Sequence, residues 1–188
     1  MRCKPALIAA LAGGLVPALA PVPAAAQEVF AGVYRHGAGT PFTLDTGEGG
    51  ADLELGYRFA PIERLGAVGK PAPYLIASIN TRGDTSFAGI GLAWTIALGR
   101  RGGPVYLRPG VGLVVHDGPA FRTDPAGTTR TDLGSRVLFE PEIGLGYRID
   151  RRFSLEASWT HVSHARLFNA AQNPGIDMIG LRLNYRPG

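Results

Sequence analysis

The chain has 188 residues, with 19 Lys and Arg against 15 Asp and Glu, 27 glycines, a single cysteine and a mean hydropathy of +0.07. Charge so near balance gives no electrostatic case for a nucleic-acid partner, and one cysteine allows no internal disulfide. Beyond residue 26, no uninterrupted apolar run reaches the roughly 18 residues of a membrane-spanning helix.

The N-terminus, "MRCKPALIAALAGGLVPALAPVPAAAQ", carries Arg2 and Lys4, then an Ala/Leu-rich run, then Ala24-Ala25-Ala26 before Gln27. That pattern reads as a secretory signal peptide over 1–26, cleaved after Ala26. Pro5, Pro17, Pro21, Pro23 and the Gly13-Gly14 pair interrupt it too often for a spanning helix. Cys3 leaves with the leader, so residues 27–188 have no thiol chemistry. No composition shift divides them, and they read as one domain.

Short alternating segments and frequent glycine predict an all-β chain of eight strands, near 28–37, 50–59, 72–81, 86–98, 104–116, 135–149, 153–163 and 176–186. In the second, Ala51, Leu53, Leu55, Tyr57 and Phe59 share one face, and Asp52, Glu54, Gly56 and Arg58 the other. In the fourth, Ile90, Leu92, Trp94, Ile96 and Leu98 oppose Gly89, Gly91, Ala93, Thr95 and Ala97. In the sixth, Val137, Phe139, Ile143, Leu145 and Tyr147 oppose Arg136, Glu140, Glu142, Gly144, Gly146 and Arg148. The first and third alternate poorly, and their faces are not assigned.

Alternation of this kind suits two architectures. A soluble sandwich would bury the apolar face; a small outer-membrane barrel would turn it to lipid and fill the lumen with polar and small side chains. The even strand count, strand lengths close to the ~9–11 residues that cross the hydrocarbon, and glycine on the polar face favour an eight-stranded antiparallel transmembrane barrel. Long outer connections near 38–49, 117–134 and 164–175 and short inner ones at 99–103 and 150–152 fit as well; 60–71 is long for an inner turn and 82–85 short for an outer loop. Glu140, Glu142 and Glu156 with Arg136, Arg148 and Arg182 then read as a salt-bridged lumen, since buried charges need partners. His36 and His116 fall at strand ends in the polar phase. "RGD" at 82–84 reads as a hairpin turn.

The seventh strand puts Phe153, Leu155, Ala157 and Trp159 on the lipid side, and continuing by twos puts His161 and Ser163 there too. The eighth puts Ile179, Leu181, Leu183 and Tyr185 on that side, and with them Asp177. Antiparallel pairing brings Asp177 near His161 and Ser163. A hydroxyl, an imidazole and a carboxylate are what a serine hydrolase requires: the imidazole takes the serine's proton and the carboxylate orients the imidazole. A strand end leaving the hydrocarbon would tolerate the same residues without chemistry, and phase alone leaves both readings open.

"HVSHARLFNAAQNPGID" (161–177) resembles the signature of the lipid A 3-O-deacylase family: His-x-Ser-Asn-Ala-Gly-Leu, then Asn-x-Gly-x-Glu/Asp. "INTRGDTSFAGIGLAW" (79–94) and "FEPEIGLGYRIDRRFSLEASWTHVS" (139–163) are also similar. The resemblance implies an eight-stranded barrel, multi-pass in the Gram-negative outer membrane, with its site on the lipid-facing wall. It implies Ser163 as nucleophile, His161 as general base and Asp177 as the acid. Asn173 and backbone N–H groups after the serine would hold the oxyanion, with His164 and Arg166 as oxyanion or substrate contacts. No metal or cofactor is implied; the partners are lipopolysaccharide and outer-membrane lipid, with a homodimer as a further arrangement. The expected reaction is hydrolysis of the ester-linked acyl chain at the 3-position of lipid A; the alternative is a non-catalytic barrel that binds lipopolysaccharide or contributes adhesion. The sequence departs from the signature where His164 replaces Asn, Arg166 replaces Gly and Asp177 replaces the commoner Glu. It also ends in "NYRPG" without a terminal aromatic.

Overall fold

A computed structural model of the chain describes residues 27–41, 43, 46–99, 103–120, 130–167 and 173–187; the leader expected over 1–26 lies outside them. Eight antiparallel strands follow the alternation closely: β1 Glu28–His36, β2 Ala51–Arg58, β3 Ala72–Asn80, β4 Phe87–Ala93 resuming at Ile96–Ala97, β5 Val105–His116, β6 Val137–Arg148, β7 Phe153–Val162 and β8 Ile176–Tyr185. Each pairs with the next, and β8 pairs back onto β1, closing the sheet into a barrel with no free edge. The break in β4 has a local cause. Ala93 pairs with Gly110 and Ile96 with Leu107 in one unbroken register. Between them the Trp94 N–H reaches the Pro109 carbonyl at 2.9 Å, but proline has no N–H to return. The inner connection at 60–71, long for an inner turn, contains a short 3-10 helix, Glu63–Val68.

The two faces of the wall differ as lipid and lumen require. Leu53, Leu55, Ile79, Ile90, Leu113, Leu145, Leu181 and their neighbours are exposed outward. β1 and β3 resisted assignment because large apolar side chains stand on both of their faces. Phe30, Tyr34 and Tyr74 point inward, where the glycines of neighbouring strands make room: a Cβ on Gly56 would lie 2.0 Å from the Phe30 ring, and one on Gly91 2.2 Å from Tyr74. The lumen glycines therefore accommodate aromatic rings as well as charges.

The lumen is filled by ion pairs. Arg182 bridges Glu54 and Glu142, both at 2.7 Å, and Arg58 holds Glu28 at 2.6 Å. Arg108 pairs with Glu156 and Glu28. The expected roles of three residues change here. Glu140 accepts from the Tyr74 hydroxyl instead of an arginine. Arg136 donates to the carbonyls of His116 and Gly118, and Arg148 to that of Gly103, because both lie at barrel rims where loop carbonyls are nearer than lumen carboxylates. His36 lies between Asp52 at 2.8 Å and Glu48 at 3.0 Å. Glu48 also accepts from the Thr85 and Thr131 N–H groups, tying three outer connections together at the mouth.

Candidate active site on the outer wall

The alternation of β7 and β8 fixes the site. Paired residues in antiparallel strands share a face, and His161 pairs directly with Asp177. His161 Nδ1–H donates to Asp177 Oδ1 at 2.8 Å, leaving Nε2 to accept from the Ser163 hydroxyl at 2.9 Å. Ser163 sits one residue past β7, held by a two-way bridge to Phe139: its N–H donates at 3.1 Å and its carbonyl accepts at 2.8 Å. The three side chains expected to act together are therefore in hydrogen-bonded sequence.

Three contacts were not legible in the sequence. Asp177 is fully buried although it lies on the outward phase, because the first outer loop folds over it. Thr40 and Thr43 both donate to Asp177 Oδ2, Thr43 at 2.8 Å, and the Ala38 N–H reaches the Asp177 carbonyl at 2.8 Å. Trp159 donates its indole N–H to Asp177 Oδ1 at 3.1 Å and stacks on His161, ring centroids 6.0 Å apart. Glu48 anchors that loop. Burial opposes its charge, but donors from His36, Thr85 and Thr131 outweigh this and hold its carboxyl below the usual range. Gly175 closes the other side: a Cβ there would stand 2.5 Å from His161 Cε1. The glycine in the Asn-x-Gly-x-acid pattern was the one available signal for this contact.

The turn after the serine carries the main departures from the signature. Leu167 N–H bonds the His164 carbonyl at 2.9 Å, with Ala165 at φ 51° and Arg166 at φ 61° between them. Arg166 thus adopts the left-handed conformation that suits the glycine of the signature, at a cost of about 1–2 kcal/mol. Arg166 itself is exposed, whereas His164 is fully buried. Asn173 is half-buried, its Oδ1 without a hydrogen-bond partner among the described residues. Below His161, an apolar groove of about 540 Å³ runs along the outer wall between Pro41, Leu107, Leu145, Ala157, Trp159 and Ile179. Among the described residues, no group of three or more His, Cys, Asp or Glu side chains is arranged to hold a metal ion.

The family model for lipid A 3-O-deacylase (PagL) matches residues 34–186. Among solved structures, the outer membrane enzyme PagL is 18% identical, with 84% of this chain and 97% of that one covered and a TM-score of 0.57. Neisserial surface protein A is 10% identical, with coverage of 86% and 97% and a TM-score of 0.51. No curated protein matches the chain. The closed barrel with its lipid-facing apolar wall is of the outer-membrane kind. Over nearly all of its barrel, this chain belongs to the lipid A 3-O-deacylase family.

Proposed function

We propose that the chain is an outer-membrane esterase that removes the 3-O-linked acyl chain of lipid A, with Ser163 as nucleophile, His161 as general base and Asp177 as the orienting acid. One observation carries this reading. On a wall whose other outward strand side chains are apolar save for Arg35, a serine, an imidazole and a carboxylate of the outward phase stand in hydrogen-bonded sequence. Polar groups at the edge of hydrocarbon are costly without a use.

The steps follow from the geometry. Ser163 Oγ attacks the ester carbonyl as its proton passes to His161 Nε2, and Asp177 stabilises the imidazolium through Nδ1–H. The oxyanion is held by the backbone N–H groups of Ala165 and Arg166, which have no acceptor among the described residues, and by the Asn173 side-chain amide. The Ser163 N–H takes no part, being bonded to Phe139. His161 then protonates the departing sugar oxygen, and water, deprotonated by the same imidazole, hydrolyses the acyl-enzyme. The acyl chain lies in the apolar groove beneath Trp159 and is held there by van der Waals packing, since a chain that comes from the bilayer leaves no water on entering it.

The purified barrel is incubated with lipopolysaccharide, and lipid A is then analysed by mass spectrometry. Loss of one 3-linked hydroxyacyl group, abolished in Ser163→Ala and His161→Ala, is the expected result. An unchanged lipid A mass with correctly folded protein would favour the non-catalytic barrel instead.

A further inference from the structure

The outward phase of the eight strands is uniform except in three places. From Val29 through Tyr185 its side chains are aliphatic, aromatic or proline, apart from His161, Asp177 and Arg35. The first two belong to the site already described; Arg35 is unaccounted for. It follows Val29, Ala31 and Val33 on the lipid side of β1 and is exposed. In the lumen Arg58, Arg108 and Arg182 each have a carboxylate partner, whereas the Arg35 side chain makes no hydrogen bond or ion pair among the described residues. A guanidinium on a lipid-facing wall is unfavourable unless an anion meets it there.

Its position narrows the anion. Arg35 pairs with Ile179, two residues along β8 from Asp177, so it stands one strand away from the acid of the triad. It borders a second cleft, of about 390 Å³, on the far side of the first outer loop from the acyl groove. Gly39, Thr43, Thr46, Gly47 and Gly175 line that cleft, with no apolar side chain larger than Ile176. Two carboxylates also border it, and both are engaged elsewhere: Glu48 by His36, Thr85 and Thr131, and Asp177 by Thr40, Thr43, Trp159 and His161. The apolar groove lies along the wall at Trp159 and Ile179, each two residues along its strand from His161 and Asp177, and the polar cleft is lined by the first outer loop. A glycolipid whose ester lies at Ser163 and whose acyl chain fills the groove must direct its polar end toward this cleft.

We propose that Arg35 and the cleft beside it form a subsite for a sugar phosphate on the polar end of the glycolipid substrate. The proposal rests on the esterase reading for the identity of the substrate, though not for the presence of the subsite. The guanidinium supplies paired donors in the geometry that suits a phosphate monoester, and the hydroxyls and glycine backbone of the loop complete the site. Its role is recognition and placement; Arg35 does not touch the reacting atoms.

The test uses the whole barrel in detergent micelles. Ser163→Ala protein is titrated with phosphorylated lipid A and with its dephosphorylated form, followed by the fluorescence of Trp159 beside the groove. The phosphorylated form is expected to bind about tenfold more tightly or better, and Arg35→Gln to cut that preference to under about threefold, with Arg35→Lys retaining part of it. An equal preference with and without Arg35 overturns the proposal. So does full competition by phosphatidylglycerol in the micelle, which would make Arg35 a boundary-lipid contact. Acyl release by the unmodified barrel is measured in parallel. A preserved, Arg35-dependent phosphate preference without any release unseats the esterase reading and leaves the subsite standing; release without that preference does the reverse.

Discussion

At the scale of single residues, Asp177 shows how a shorter acid can serve where the signature more often has glutamate. Its carboxylate lies close to the wall, and the first outer loop descends to meet it, so that both oxygens are doubly satisfied by Thr40, Thr43, Trp159 and His161. The two threonines hold the acid still and withdraw some of its charge. Replacing both by valine removes two charge-assisted hydrogen bonds while keeping shape, and kcat is expected to fall about tenfold with little change in KM. Serine at both positions restores the hydroxyls and should recover most of the rate. An unaltered kcat in the valine variant would count against this role. Asp177→Glu is expected to lower the rate as well, since the added methylene drives the carboxylate into the threonines.

At the scale of elements, the pairing of β7 with β8 was legible because strict alternation continues through His161 and resumes at Asp177. Faces were legible wherever one side was polar. They were not in β1 and β3, where Phe30, Tyr34 and Tyr74 point inward against glycines of other strands, a complementarity that exists only once the barrel closes. The contribution of Thr40 and Thr43 was hidden for a related reason: they lie 137 and 134 residues from Asp177, and only the end-to-end pairing of β1 with β8 brings their loop to it. Gly175, at the entry to β8, was visible as part of a motif but not as a steric requirement. An alanine there would press on His161 Cε1, and displacing the imidazole by about 1 Å is expected to lower kcat on the order of a hundredfold. Steady-state kinetics with circular dichroism as a check on folding would measure it. Gly66→Ala, in the inner connection where a Cβ meets nothing within 4 Å, should leave the rate unaltered.

At the scale of the whole molecule, the proposed chemistry and the charges that stabilise the barrel occupy opposite faces of one wall. The relay faces lipid, while the charges that fill the barrel face inward and take no part in it. Arg182 is central to the inner set: fully buried, it contacts Glu54, Glu142 and Glu156 and lies 4.6 Å over the Phe30 ring. Arg182→Met would keep much of its volume but leave Glu54 and Glu142 without their cation in the barrel interior, while Glu156 keeps Arg108. Removing one partner of a buried ion pair typically costs about 3–5 kcal/mol. Urea unfolding in detergent should show a loss of that order. Arg186→Met is the comparison: its guanidinium also pairs with a lumen carboxylate, Glu28 at 2.6 Å, but its side chain is 43% exposed at the inner rim. Solvent can replace that contact, and the loss should stay within about 1 kcal/mol. In both variants, acyl release per folded molecule should match the unmodified barrel, because neither residue reaches the outer wall. A selective fall in kcat for Arg182→Met at unchanged unfolding midpoint would mean that the lumen network sets the geometry of the relay through the strands, and that the division between the two faces does not hold.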